Sequence, residues 1–389
     1  MPIVVFVLAV AVFAQGTSEF MVSGLLEQIA ADVGISLGSA GLLTSLFAAG
    51  MVLGAPVMAM TAGRLPIRYS LAAFLALFCL AHVIGAVTHG FTMLLVTRVL
   101  AAISNAGFLA IALAALPRLV GPAAVGRATS VVVSGVTVAC IAGVPGGTVL
   151  GQLWGWRSAF WAVAILGAAV LIPLWVLVGR AVRETDLRAE RGPSILREWS
   201  VVGDRSILIA VTAGVLVNAG TFAGFTYLGS ITAGVPGMGD QWVPFVLGIF
   251  GVGSFAGVLL GGRFTDHSER IIKVGTLALI GIWALAAPSA HTLPGVLTMS
   301  AVAGAAAFGV GSTLIATIVQ AAAPSAPHIA GALATTAFNL GAVLGPVIAG
   351  VVVDNTGHPS AALWSSAAFT LIALAAVLLP TPVPVHSRG

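Results

Sequence analysis

Two charged residues, Glu19 and Arg98, stand inside long apolar runs where neither a loop nor a terminus accounts for them. A charge at the centre of a lipid bilayer costs about 2.5–3.5 kcal/mol even on the mildest insertion scale, so such a residue has a task or a partner. At about 1.5 Å per helical residue, Glu19 lies roughly 25 Å from the start of its run and Arg98 roughly 10 Å from the start of its own. The two runs enter from opposite sides, so both charges fall in the same half of a core about 30 Å thick and are within reach of each other. The chemistry open to this pair is proton transfer. Burial favours a carboxylic acid and a neighbouring cation favours a carboxylate, so a rearrangement that changes either loads or releases a proton at Glu19, with Arg98 as the tuning charge. The competing reading is a structural salt bridge between two helices.

Uncharged polar residues also fall within the apolar runs. Asn105, Asn218 and Asn339, with Phe222 and Tyr227 near the second of them, suit a cavity that binds a substrate with apolar and hydrogen-bonding parts. Hydrogen bonding between helices is the alternative for each. His82 is an isolated histidine in an apolar run and reads as a packing residue. Gly143, Gly147 and Gly151 recur every fourth residue around Pro145. Glycines at that spacing line one helix face and permit a close crossing, while the proline removes a backbone hydrogen bond and permits a bend. A similar group, Gly341, Gly345, Pro346 and Gly350, appears late in the chain.

Motifs for enzymes or nucleotides are accidental matches. Gly34-Ile35-Ser36-Leu37-Gly38 has the form of a hydrolase elbow without its strand and helix, and Gly251 to Ala256 has that of a dinucleotide fingerprint without a βαβ unit. There is no Walker loop, so neither an enzyme nor an ATP-driven pump is expected. Cys79 and Cys140 both lie in apolar stretches and read as inert thiols, with no metal site and no cofactor expected.

The elements that hold these residues follow from composition. Hydrophobic residues make up 59% of the 389 and charged residues 7%, with a mean hydropathy of +1.11. Soluble domains carry about 25% charge, so no water-facing surface can be built from this mixture. Apolar runs of spanning length cover 3–26, 36–60, 69–88, 91–116, 126–151, 158–179, 207–231, 243–262, 272–290, 294–318, 328–353 and 360–380. No alternating strand pattern is present, so the spans are helical. The start of the chain reads as the first span and not as a removable signal peptide.

Placement of charge sets the topology. Of 16 basic residues, 14 fall in the even-numbered loops and the tail, against Arg157 alone in the odd loops. Cytoplasmic loops are the positive ones, which places both termini in the cytoplasm. The net charge of +4 is spread among hydrophobic segments and forms no patch for nucleic acid. The one long polar stretch, 180–206, reads as a cytoplasmic linker between a six-helix bundle at 1–179 and a second at 207–389. Arg64 after the second span and Arg263 after the eighth mark corresponding places in the two halves, a repeat typical of transporters.

These residues resemble a known family. Gly143-Val144-Pro145-Gly146-Gly147-Thr148, then Gly151 and Gly155-Trp156-Arg157, resembles the antiporter motif of the major facilitator superfamily. Gly16-Thr17-Ser18-Glu19-Phe20, followed by Gly24-Leu25-Leu26, is similar to the first span of its twelve-span drug:proton antiporters, and Arg98 stands where their fourth-span arginine does. The likeness covers nearly the whole chain and runs to the bacterial chloramphenicol-resistance exporters. It implies an all-α membrane protein of two pseudo-symmetric six-helix bundles around a cavity lined by spans one, four, seven and ten. Glu19, Arg98, Asn105 and Asn218 would then line that cavity. The resemblance further implies a monomer in the inner, cytoplasmic membrane that exchanges small drugs, chloramphenicol foremost, for protons. Exporters of sugars or nucleosides on the same scaffold are the alternative, and a passive facilitator a more distant one. Two departures stand out. The loop Thr61 to Arg68 lacks the family's acidic residue, which survives in the second half as Asp266, so a cytoplasmic gate would join Asp266 with Arg64 and Arg263. The antiporter motif also reads Gly-Val-Pro where Gly-Pro is usual, which moves the bend by one residue.

Overall fold

The computed structural model describes residues 1–61, 66–121, 124–181, 203–237, 239–263, 267–326 and 329–379. Arg64, Asp266 and most of the 180–206 linker lie outside the described residues. Among the described residues every regular element is helical. Eleven helices are long and apolar enough to cross a membrane, and a shorter apolar helix, Ala361–Val377, makes a twelfth.

In order, the spans are Ile3–Met21, Leu37–Thr61, Ile67–Val87, Phe91–Val120, Val125–Trp154, Trp156–Ala181, Arg205–Ala233, Val243–Arg263, Ser268–Ser289, Leu293–Ala322, Ala330–Thr356 and Ala361–Val377. Twelve apolar runs have become twelve helices. The largest departure follows the first span, where the helix stops at Met21, a 3-10 turn covers Val22–Gly24, and a separate helix, Leu26–Val33, begins. That short helix buries Leu26, Ile29 and Ala30 and turns Glu27 and Asp32 outward, a spacing of one amphipathic face. Gly34, with φ of 73°, ends it in the left-handed conformation that glycine adopts without a steric penalty.

The fifth span bends where its sequence requires. A π turn over Ala139–Gly143 separates the α-helix Val125–Val138 from Val144–Trp154. Pro145 has no N–H to donate, and the wider turn before it absorbs the missing bond. The glycines around it pack on the first span. A Cβ added at Gly143 would lie 2.0 Å from Thr17 Oγ1, one at Gly147 3.3 Å from Met21 Cβ, and one at Gly151 2.3 Å from Leu25 Cδ2. Each glycine thus faces a residue four positions further along the chain, Thr17 and Met21 on the first span and Leu25 just past the 3-10 turn.

Packing repeats with a shift of six helices. The first span packs on the fifth as the seventh does on the eleventh, the second on the fourth as the eighth on the tenth, and the third on the sixth as the ninth on the twelfth. Gly341 and Gly345 approach Val215 O and Ala219 O of the seventh span as the fifth-span glycines approach the first, so the late glycine group has the same task. The eighth span carries a ladder that the fingerprint match had obscured. Cβ atoms at Gly253 and Gly257 would lie 2.3 Å and 2.0 Å from the carbonyl oxygens of Ala301 and Ala305 on the tenth. The two bundles meet through the second and eleventh spans and through the fifth and eighth, pairs that the same shift exchanges.

These meetings concentrate at one end of the molecule, the end that carries the loop between the first and second spans. There Asp354, near the end of the eleventh span, caps the start of the second: one carboxylate oxygen accepts the Gly38 N–H at 2.8 Å and the other the Ser36 hydroxyl at 2.7 Å. A carboxylate at a helix N-terminus satisfies free N–H groups and meets the positive end of the helix dipole. The Tyr227 hydroxyl donates to Pro346 O at 3.1 Å beside Gly41 and Gly350. The bundles are therefore closed against each other at the first-loop end.

Candidate functional site

The centre of the first bundle holds a buried cation whose donors are all directed at neutral oxygens. Arg98, on the fourth span, is 1% exposed. Its Nη1 donates to Ser18 Oγ and its Nη2 to Ser18 O, both at 2.8 Å, and Nε points toward Leu43 O at 3.5 Å. The guanidinium also lies over the Phe47 ring, 4.4 Å from its centroid. Planar geometry is what allows one side chain to reach two oxygens of a single residue.

Ser18 links Arg98 to a second titratable group. His82 Nε2 lies 2.6 Å from Ser18 Oγ, and His82 Nδ1 lies 2.7 Å from Phe78 O. A carbonyl can only accept, so Nδ1 carries the proton and the neutral Nε2 accepts from the Ser18 hydroxyl. The Ser18 oxygen keeps its lone pairs for Arg98. The chain Arg98 to Ser18 to His82 to Phe78 O is satisfied in one direction throughout. His82 is held between Phe78 and Phe160, with ring centroids 4.2 Å and 5.7 Å away. Read from sequence as a packing residue, His82 is packed between rings and hydrogen-bonded at both nitrogens.

Glu19 follows Ser18 directly and is half-buried. It forms no ion pair within 4.0 Å among the described residues, because Arg98 is committed to Ser18. Arg98 remains close enough to act on Glu19 through its charge, and the buried side chain of Asn105 approaches the same carboxyl group. The structure thus brings together Glu19, Arg98 and Asn105.

Next to Glu19 the space between the bundles is filled by rings. Phe20 from the first span stands 6.0 Å from Phe222 and 6.1 Å from Phe225, and Phe225 stands 4.9 Å from Phe250. Phe250 in turn lies 6.1 Å from Phe308. A void of about 10 Å³ lies among Phe20, Cys140, Phe222 and Phe308. Of these rings only Phe222 is among the cavity residues expected from sequence. Phe20, Phe225, Phe250 and Phe308 sit on four different helices, and no spacing in the chain joins them.

The other candidate cavity residues are engaged with backbone. Asn218 Nδ2 donates to Phe338 O at 2.6 Å, tying the seventh span to the eleventh, and Asn339 Nδ2 donates to Thr335 O at 3.0 Å within its own helix. Tyr227 belongs to the seam described above. Pro145, on the face of the fifth span away from the first, has its ring 3.3 Å from where a Cβ of Gly248 would stand. Of the residues considered for a gate, Arg263 ends the eighth span and is exposed.

At the first-loop end, Arg157 pairs with Asp32, donates to Thr88 O at 3.0 Å and lies over the Trp156 ring at 4.3 Å. The hydrogen bond from Arg157 holds the Asp32 carboxyl below its ordinary value. One arginine therefore fastens three connections of the first bundle.

Comparison with known proteins agrees with this architecture. Residues 8–336 match the Major Facilitator Superfamily. The chain is 44% identical over 378 residues to a chloramphenicol resistance protein of Streptomyces lividans, covering 96% of this chain and 95% of that one. It is 27% identical over 369 residues to the purine ribonucleoside efflux pump NepI of Escherichia coli, covering 94% and 90% respectively. Among solved structures, a bacterial homologue of the human lysosomal transporter Spinster, inward-facing and unoccupied, superposes with a TM-score of 0.79 at 18% identity, over 96% of this chain and 95% of that one. That last likeness carries the fold. With twelve apolar helices in two bundles related by a shift of six, and with a family match across most of its length, the chain belongs to the major facilitator superfamily and is a multi-pass membrane transporter, not an enzyme.

Proposed function

We propose that the protein exports small amphipathic drugs, chloramphenicol foremost, in exchange for protons, by alternating access of a central site to the two sides of the cytoplasmic membrane. The observation that carries this reading is the half-buried Glu19 beside a buried Arg98 whose donors are taken by Ser18. In this arrangement Glu19 has no cation bonded to it and suits the protonated form. A rearrangement that frees Arg98 from Ser18 would offer the guanidinium to Glu19 and drive the proton off. Drug and proton exchange only if they favour different conformations, since a ligand with equal affinity for both shifts nothing.

The distribution of basic residues supports an orientation with both termini in the cytoplasm and the first-loop end outside. The closed seam at Asp354 and Tyr227 then belongs to the inward-facing state, in which drug enters from the cytoplasm or inner leaflet. Asp266 with Arg64 and Arg263 would close the opposite end, and 180–206 would join the bundles 1–179 and 207–389 on the cytoplasmic side. The protein works as a monomer in this scheme. The relative of Streptomyces lividans supports chloramphenicol as substrate. The likeness to a purine ribonucleoside efflux pump supports a second reading, export of nucleosides on the same scaffold.

Drug accumulation in cells tests the proposal. Cells with the wild-type protein are expected to hold less labelled chloramphenicol than cells without it, and a protonophore is expected to erase the difference. Glu19→Gln, which keeps shape and removes the titrating proton, is expected to erase it too. Normal exclusion by Glu19→Gln would leave the exporter standing and remove Glu19 as the proton site. If inserted wild-type protein never lowers chloramphenicol but does lower labelled purine nucleosides, the second reading replaces the first.

A further inference from the structure

The third span contributes a buried histidine that the exchange scheme leaves without a task. Among the described residues, no Asp, Glu, Lys, Arg or His other than His82 and Arg98 is buried, and one serine hydroxyl joins these two. A serine or threonine inside a helix ordinarily gives its hydroxyl proton to the carbonyl one turn earlier. Thr17, the neighbour of Ser18, does so toward Phe13 O at 2.8 Å, and Ser104, Thr148 and Thr221 do the same in the fourth, fifth and seventh spans. Ser18 makes no such bond. Its proton goes to His82 Nε2 across 2.6 Å, because His82 Nδ1 is committed as a donor to Phe78 O at 2.7 Å. That direction leaves the lone pairs of Ser18 Oγ to Arg98 Nη1, 2.8 Å away.

We propose that His82 is a positioning residue for the proton site: by taking the Ser18 proton it keeps Arg98 on Ser18 and off Glu19, and so sets the pH at which Glu19 holds its proton. This role rests on the reading of Glu19 as the coupling carboxyl. The two oxygens of Ser18 hold Nη1 and Nη2, while the carboxyl of the next residue lies within reach of the guanidinium charge. Without an acceptor at position 82, the Ser18 hydroxyl falls back on the carbonyl of Ala14, as its neighbours do on theirs, and Oγ turns away from Arg98. The freed Nη1 then moves to the Glu19 carboxylate, a stronger acceptor than a neutral hydroxyl. Such a bond favours the deprotonated acid.

The groups around the pair are few. His82 meets Phe78 within its own span, Phe160 of the sixth and Arg98 of the fourth. Glu19 meets Arg98 and Asn105 of the fourth span and Cys140 of the fifth. Arg98 is the one cation in this set. Packing alone has no use for the imidazole nitrogens, since the ring lies between Phe78 and Phe160 in a place that phenylalanine fills. Glutamine fills that place less well but offers an amide oxygen where Nε2 stands. The two replacements therefore separate a packing role from a positioning one.

Labelling of Glu19 by dicyclohexylcarbodiimide, which attacks protonated carboxyl groups in apolar surroundings, reads its protonation directly. The reaction is run across a pH series on full-length protein in liposomes and followed by mass spectrometry of the peptide that carries Glu19. His82→Gln is expected to keep the wild-type midpoint. His82→Phe and Ser18→Ala are expected to move it about one unit toward acid, a tenfold loss of proton affinity. Should His82→Phe fail to elute as a single folded species, Ser18→Ala still reports the same bond. The inference is overturned if either His82→Phe or Ser18→Ala keeps the wild-type midpoint, or if His82→Gln shifts as far as His82→Phe. Chloramphenicol-driven proton movement in the same liposomes keeps the two readings apart. No exchange by the wild type, with the labelling shift intact, would overturn the exporter reading and support the role of His82. Exchange by the wild type with no shift in His82→Phe would overturn the role of His82 alone.

Discussion

Arg98→Leu is expected to abolish drug exclusion and to lower the thermal stability of the purified protein. The guanidinium makes two bonds to Ser18 and fills the space against Phe47 with almost no contact with solvent. Hydrogen bonds to a charged group contribute about 1.5–3 kcal/mol each, and deleting one partner leaves the other buried and unpaired. Leucine fills part of the volume and none of the donor positions. Ser18 Oγ would lose its donor, and the chain that orients His82 would end at Ser18. Arg98→Lys separates the two effects. An ammonium keeps the charge felt by Glu19, but it has no planar fork to hold Ser18 Oγ and Ser18 O together. Its expected phenotype is intermediate, with stability partly recovered and exclusion reduced. The readouts are labelled-chloramphenicol accumulation, scaled to the amount of folded protein, and a melting curve in mild detergent. Full exclusion by Arg98→Leu would remove this residue from the transport cycle.

Gly257→Val is expected to prevent accumulation of folded protein. Even one methyl group at Gly257 would lie 2.0 Å from Ala305 O and 2.8 Å from its carbonyl carbon, against backbone that cannot rotate away. The eighth and tenth spans would have to move apart by more than an ångström, with the neighbouring contacts at Gly253 and Gly304 opened at the same time. Overpacking of a close-packed interior costs about 1–3 kcal/mol and more where backbone must shift, and apolar burial offers little compensation because lipid is as apolar as the helices. Gly281→Val is the matched control. Gly281 lies in the ninth span with no heavy atom within 4 Å of an added Cβ, so the same change of volume there is expected to be tolerated. Size-exclusion chromatography of a fluorescently tagged protein from solubilised membranes compares the two. Equal yields of the two variants would mean that the eighth and tenth spans do not pack this closely.

Much of this architecture was legible along the chain because the bilayer imposes its rules locally. A span must be apolar over about 20 residues whatever it packs against, so composition and run length yielded twelve helices near their observed positions. The glycine and proline pattern of the fifth span predicted a bend and a close crossing, and both are present at the π turn and along Thr17, Met21 and Leu25. Glu19 and Arg98 announced themselves by charge alone, since nothing in an apolar run explains a charge except a partner or a function. The eighth-span ladder is equally local, as Gly253, Gly257 and Gly261 share the four-residue spacing that the close crossing with the tenth span uses.

Which partner each charge takes was decided by tertiary structure. Arg98 turned out to bind Ser18, 80 residues away, and Ser18 turned out to bind His82, 64 residues away. Asp354 reaches back 318 residues to Ser36. A hydrogen bond depends on the positions of two atoms to within a fraction of an ångström, and helix packing sets those positions through contacts that no local pattern encodes. The sequence by itself determined that charge had to be accommodated inside the membrane and on which spans. Only the packing of the first, third and fourth helices decided that the cation would rest on a serine, leaving the carboxylate beside it without a bonded cation.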